Sequence, residues 1–77
     1  MASSAVLFTN IADDIQVKLN KNATGDVASL VYQTNYSGRA EIGCLANDDF
    51  TFKVSADGAT WYSGLVLKTD AKGVPVL

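Results

Sequence analysis

The stretch Phe50-Thr51-Phe52-Lys53-Val54-Ser55-Ala56-Asp57-Gly58-Ala59-Thr60-Trp61-Tyr62-Ser63-Gly64-Leu65-Val66-Leu67-Lys68 decides the fold. Phe50, Phe52 and Val54 alternate with Thr51, Lys53 and Ser55, and a period of two sends successive side chains to opposite faces of a strand. Ser55-Ala56-Asp57-Gly58 supplies a turn, because glycine after aspartate takes the positive φ that tight hairpins require. Residues 61–68 return as the partner strand, where unbroken alternation puts Trp61, Ser63, Leu65 and Leu67 on one face. The meeting of that Trp and Leu face with the two phenylalanines is the expected centre of the fold.

On the N-terminal side, residues 39–45 alternate again: Ala40, Ile42 and Cys44 share one face, and Arg39, Glu41, Gly43 and Leu45 the other. The β-branched and aromatic residues of 28–34 read as another strand, with a break at residues 35–38. Further back, Ile15, Val17 and Leu19 alternate with Gln16, Lys18 and Asn20, which predicts a half-buried strand followed by a polar turn over residues 20–26. Residues 9–14 fit either a single helical turn or a loop. On the C-terminal side residues 70–73 turn, and residues 74–77 form a short last strand whose Pro75, lacking an N–H, suits a sheet edge. Turn signals every 8 to 12 residues or so, with no sustained helical period, predict an all-β fold. The expected architecture is a small antiparallel β-sandwich or meander of about seven short strands, one domain over residues 1–77, with residues 1–14 as an N-terminal attachment segment.

Of the 77 residues 48% are hydrophobic and 18% charged, a balance that favours folding over disorder. A chain this short buries only roughly 60% of its unfolded surface, so small domains lean on disulfides, a metal or oligomerisation. The single cysteine, Cys44, closes no intrachain bridge, and a chain without histidine has no ligand set for structural zinc. Self-association is what remains, and a homo-oligomer is expected. The net charge is −2 and the six Lys and Arg residues are scattered, so no nucleic-acid partner is expected. The longest apolar runs, residues 5–8 and 64–67, fall far short of the roughly 20 needed to span a bilayer, so no membrane insertion is expected. Met1-Ala2-Ser3-Ser4 has neither the basic region nor the apolar stretch of a secretory signal. The sequons at Asn22 and Asn35 read as ordinary polar loop residues.

Without histidine there is no nucleophile and base pair, so the chain reads as non-enzymatic and in need of no cofactor. Cys44, flanked by Gly43 and Leu45 in a strand, reads as a packed or interface thiol. On an interface it would bridge neighbouring chains if the α-carbons came within roughly 4.4 to 6.8 Å. The pairs Asp13-Asp14 and Asp48-Asp49 lack the spacing of a calcium loop and read as solvated turn residues. Tyr32, Tyr36, Trp61 and Tyr62 supply amphipathic rings for packing or for stacking on a sugar, with Tyr36 and Tyr62 the candidates to face a ligand.

Two strings carry a further signal: Tyr32-Gln33-Thr34-Asn35-Tyr36-Ser37-Gly38-Arg39-Ala40-Glu41-Ile42-Gly43, and Asp48-Asp49-Phe50-Thr51-Phe52-Lys53-Val54-Ser55-Ala56-Asp57-Gly58-Ala59-Thr60-Trp61. They resemble the C-terminal β-rich unit of tail and fibre proteins, containing a domain of unknown function, from phages and gene-transfer-agent-like particles of alphaproteobacteria. Val17-Lys18-Leu19-Asn20-Lys21 is similar to the segment leading into that unit, so the resemblance covers the chain from about Ile15 onward. Members of that family carry the unit behind a larger N-terminal region, and Cys44 stands where an ordinary apolar residue is expected. The resemblance implies a virion location after assembly in the host cytoplasm, a homotrimer, and contacts with other virion proteins such as capsid or tail components. It brings no catalytic residue. The expected function is that of a non-enzymatic bacteriophage virion structural protein, an exterior decoration or short fibre on the capsid or neck. The alternative is a tail-fibre receptor-binding module recognising a glycan or protein of the host cell surface.

Overall fold

The computed structural model describes residues 2–76 and is all-β, with no helix among them. Strands β1 (Val27–Thr34), β2 (Ser37–Leu45), β3 (Phe50–Ser55), β4 (Trp61–Leu67) and β5 (Pro75–Val76) form one antiparallel sheet in the order β1-β2-β3-β4-β5. Every sheet neighbour is a sequence neighbour, so the chain is a meander. Of the two expected architectures, sandwich or meander, the sheet is the meander, and the strand count is corrected to five among the described residues rather than about seven. The missing strand over residues 15–19 has the right alternation, but residues 2–20 make no backbone–backbone hydrogen bond among the described residues, and a strand exists only by pairing. Met1, and Leu77 of the expected last strand, lie outside the described residues. Pro75 does sit in the edge strand β5.

The turns are built locally. Asn35 and Tyr36, with φ of 48° and 66°, join β1 to β2 as a two-residue hairpin loop with both central residues left-handed. Between β3 and β4 the Ser55 hydroxyl accepts from the N–H groups of Asp57 (3.3 Å) and Gly58 (2.8 Å), and the Asp57 carboxylate accepts from those of Ala59 and Thr60 (both 2.9 Å). In the β2–β3 connection the Asp49 carboxylate accepts from the backbone N–H (2.7 Å) and the hydroxyl (3.1 Å) of Thr69, tying that loop to the exit of β4. Asp48 pairs with Lys21 at 2.9 Å. The pair read as solvated turn residues thus consists of two anchors.

A register shift corrects the face assignment of the central hairpin. Phe52 opposes Leu65 and Phe50 opposes Leu67, as expected, but Lys53 opposes Ser63, which leaves Gly64 unopposed as a bulge. One extra residue inverts the alternation beyond it. Trp61 therefore stands opposite Ser55, on the face away from the phenylalanines, and Tyr62 joins the phenylalanine face opposite Val54.

Candidate functional site

The pairing register sorts the side chains into two unlike faces. One is apolar along every row: Ala28 beside Cys44; Leu30, Ile42, Phe52 and Leu65; Tyr32, Ala40, Val54 and Tyr62; Phe50 beside Leu67. The other carries Ser29, Glu41, Thr51, Lys53, Ser55, Trp61 and Ser63 across its middle, with Val27, Val31, Leu45 and Val66 interspersed.

The polar face completes its own contacts. The Ser29 hydroxyl donates to Glu41 at 2.6 Å, and the Lys53 ammonium pairs with the other Glu41 oxygen at 3.2 Å. The hydrogen bond from Ser29, reinforced by Lys53, holds the Glu41 carboxyl below its usual range against the opposing effect of burial. Lys53 also lies 5.0 Å from the centre of the Trp61 ring, within reach of a cation–π attraction. That indole crosses β3 to rest on Gly38 of β2, where an added Cβ would meet the ring at 2.8 Å. The buried polar side chains, Thr51 and Ser55, belong to this face.

The apolar face has no such completion. Among the described residues no hydrophobic side chain is buried, although a fold of this composition ordinarily hides several. Phe50 and Phe52 touch edge to face with centroids 5.3 Å apart, yet each is 36% exposed, and Val54 and Tyr62 are 56% and 65% exposed. The chain has 6276 Å² of accessible surface, where a compact monomer of its 8.1 kDa mass would have about 4,500 Å². Its radius of gyration is 14.8 Å against about 11.5 Å for a compact domain of this length.

No protein-family model, curated protein or solved structure matches this chain. The geometry of the sheet therefore carries the functional reading together with the sequence.

Part of the N-terminal arm begins to cover the face. Val17 and Leu19 border a cavity of about 250 Å³ whose other walls include Ala28, Leu30, Ile42, Cys44 and Phe50. A clamp at Lys21 fixes where the arm starts. Its ammonium donates to the carbonyls of Asn47 (2.6 Å), Thr24 (2.9 Å) and Asp26 (3.5 Å) and meets the Asp48 carboxylate, with the side chain 13% exposed. Towards the N-terminus Leu7 and Ile11 are exposed almost as in an extended chain, and Phe8 stays largely exposed.

Cys44 lies on the apolar face, half-buried in that cavity, with its thiol free. Tyr62 is on the same face, and Tyr36 stands 91% exposed at the β1–β2 turn. The ring pair formed among the described residues is Phe50 with Phe52, so the two candidate tyrosines do not join into one stacking platform. No group of three or more His, Cys, Asp or Glu gathers among the described residues, and no helix there is long and apolar enough to cross a membrane. Lys21 and Gly64 were not singled out from the sequence. A glycine inside a strand pattern is a bulge signal, but the partners of Lys21 lie up to 26 positions away and leave no local trace.

Proposed function

We propose that this chain is a non-enzymatic structural protein of a bacteriophage virion, an exterior decoration or short fibre on the capsid or neck, that works as a homo-oligomer. The observation that carries the proposal is the sheet with an apolar face left open along every row, in a chain with no buried hydrophobic side chain of its own among the described residues. About 1,800 Å² of surface beyond that of a compact monomer lies within what one partner gives up in an obligate interface, roughly 1,000 to 2,500 Å². Closing such faces on copies of themselves needs no second gene product. The virion setting, the contacts with capsid or tail proteins and the number three rest on the resemblance of residues 32–43 and 48–61 to phage fibre units. Light scattering on the purified protein tests the assembly: a trimer at micromolar concentration is expected, a dimer would remove the three-fold symmetry, and a well-folded monomer would remove the reading. Electron microscopy of particles, with density for this chain on the exterior, tests the setting.

A second reading, a receptor-binding module, draws on Tyr36. A bulky aromatic residue at φ 66° is strained by about 1 to 2 kcal/mol, and its ring gains no burial in return. Strain without packing return is a mark of functional positions. Tyr36→Gly is expected to stabilise the fold by about 1 kcal/mol and, on this reading, to lower adsorption of particles to host cells. Unchanged adsorption would exclude it.

A further inference from the structure

Resting on the homo-oligomeric reading above, we infer that the N-terminal arm of one copy, residues 5–19, docks as an added strand along the apolar face and free β1 edge of a neighbouring copy.

Three observations converge on that occupant. The arm has the apolar content of a strand without the pairing: Val6, Leu7, Phe8, Ile11, Ile15, Val17 and Leu19 punctuate a segment whose backbone bonds to no other backbone group among the described residues. The sheet has matching vacancies, since β1 is paired only on its β2 side and the face beside it is apolar. The chemistry of the match is already visible in miniature, because Val17 and Leu19 line the cavity over Ala28, Leu30, Ile42 and Cys44 while leaving about 250 Å³ of it empty.

Geometry then puts a second copy within the arm's reach. Lys21 pins the root of the arm to the β2–β3 connection through Asn47 and Asp48. From Ile15 back to Ala5 an extended chain spans roughly 35 Å at about 3.3 Å per residue. The molecule is 37 Å in its longest dimension, so an outgoing arm reaches across a whole neighbour. In the lone chain Leu7 and Ile11 are 84% and 104% exposed and rest on nothing. Arm addition supplies what each partner lacks: backbone hydrogen bonds for the arm and the β1 edge, and, from every second arm side chain, apolar neighbours for the part of the face beside that edge.

The test uses the full chain. Because Phe8 is 64% and Ile11 104% exposed in the isolated subunit, the double variant Phe8→Asp and Ile11→Asp costs a monomer's fold little and harms chiefly an exchanged arm. Light scattering is expected to show a lower mass for the variant than for the wild type, and the midpoint of thermal unfolding is expected to drop. Wild-type mass and stability in the variant would overturn the inference while leaving the homo-oligomer standing. A monomeric wild type would overturn both. Cross-linking gives a readout that survives a poorly folding variant. Under diamide oxidation of Phe8→Cys, a disulfide between the introduced thiol and Cys44 of another chain is expected, seen as multimers on a non-reducing gel and placed by peptide mass mapping. An intrachain link in monomers, or no link at all, would overturn the inference.

Discussion

At the level of single residues, Gly43 is the most constrained position in the sheet. It is buried with φ of 149°, and a Cβ there would run into the Ala28 carbonyl oxygen and the Ser29 backbone of β1. Gly43→Ala is therefore expected to lower stability by about 3 kcal/mol in urea unfolding, and a change below about 0.5 kcal/mol would show that β1 yields freely. The loop aspartates set a pH dependence. Backbone N–H donors hold two carboxyls below the usual aspartate range: Thr60 and then Ala59 act on Asp57, and Thr69 acts on Asp49. A carboxyl whose value is depressed on folding stabilises the fold above its unfolded value of about 3.9, and that contribution disappears as pH falls through the lower folded value. The wild type should thus hold its urea midpoint from neutral pH to about 4 and lose it below, whereas Asp57→Asn should start lower and fall less steeply. An equally steep acid limb in the variant would remove Asp57 from the account.

Among the elements, the alternating runs of residues 39–45 and 50–55 were legible because a period of two maps directly onto the two faces of a strand, and residues 28–34 through their β-branched and aromatic content. The placement of Trp61 was not. Continuous alternation carries it onto the phenylalanine face, and only the bulge at Gly64 sends it to cover Gly38 on the other side. The strand expected over residues 15–19 failed for a different reason: its pattern is sound, but pattern fixes which side chains want cover and not which backbone will pair with them. Turn spacing left sandwich and meander open, because both turn roughly every 8 to 12 residues and only the pairing of strands separates them. Phe52 reports whether the apolar face is covered. Phe52→Ala should lower stability by about 3 to 5 kcal/mol if its face is buried between copies, and by much less if the face stays 36% open as in one chain. Urea unfolding at micromolar protein separates the two outcomes.

For the molecule as a whole, stability and assembly become one quantity when the core is shared. The midpoint of unfolding should rise with protein concentration, each tenfold change in free partner shifting the balance by about 1.4 kcal/mol, and a midpoint independent of concentration would show that each chain stands alone. The Lys21 clamp belongs to this scale because it joins the root of the arm to the sheet. Lys21→Met should lower stability by about 2 kcal/mol and speed proteolytic cleavage before residue 27, and unchanged cleavage there would mean that the arm needs no anchor. The open face has a consequence for biosynthesis. If copies of the chain close that face, a newly made chain stays vulnerable to proteases until it meets others, and the frequency of meeting grows faster than the number of chains. Accumulation should then respond to expression rate more than in proportion, with slow synthesis yielding almost nothing and a modest rise in transcript crossing into steady production.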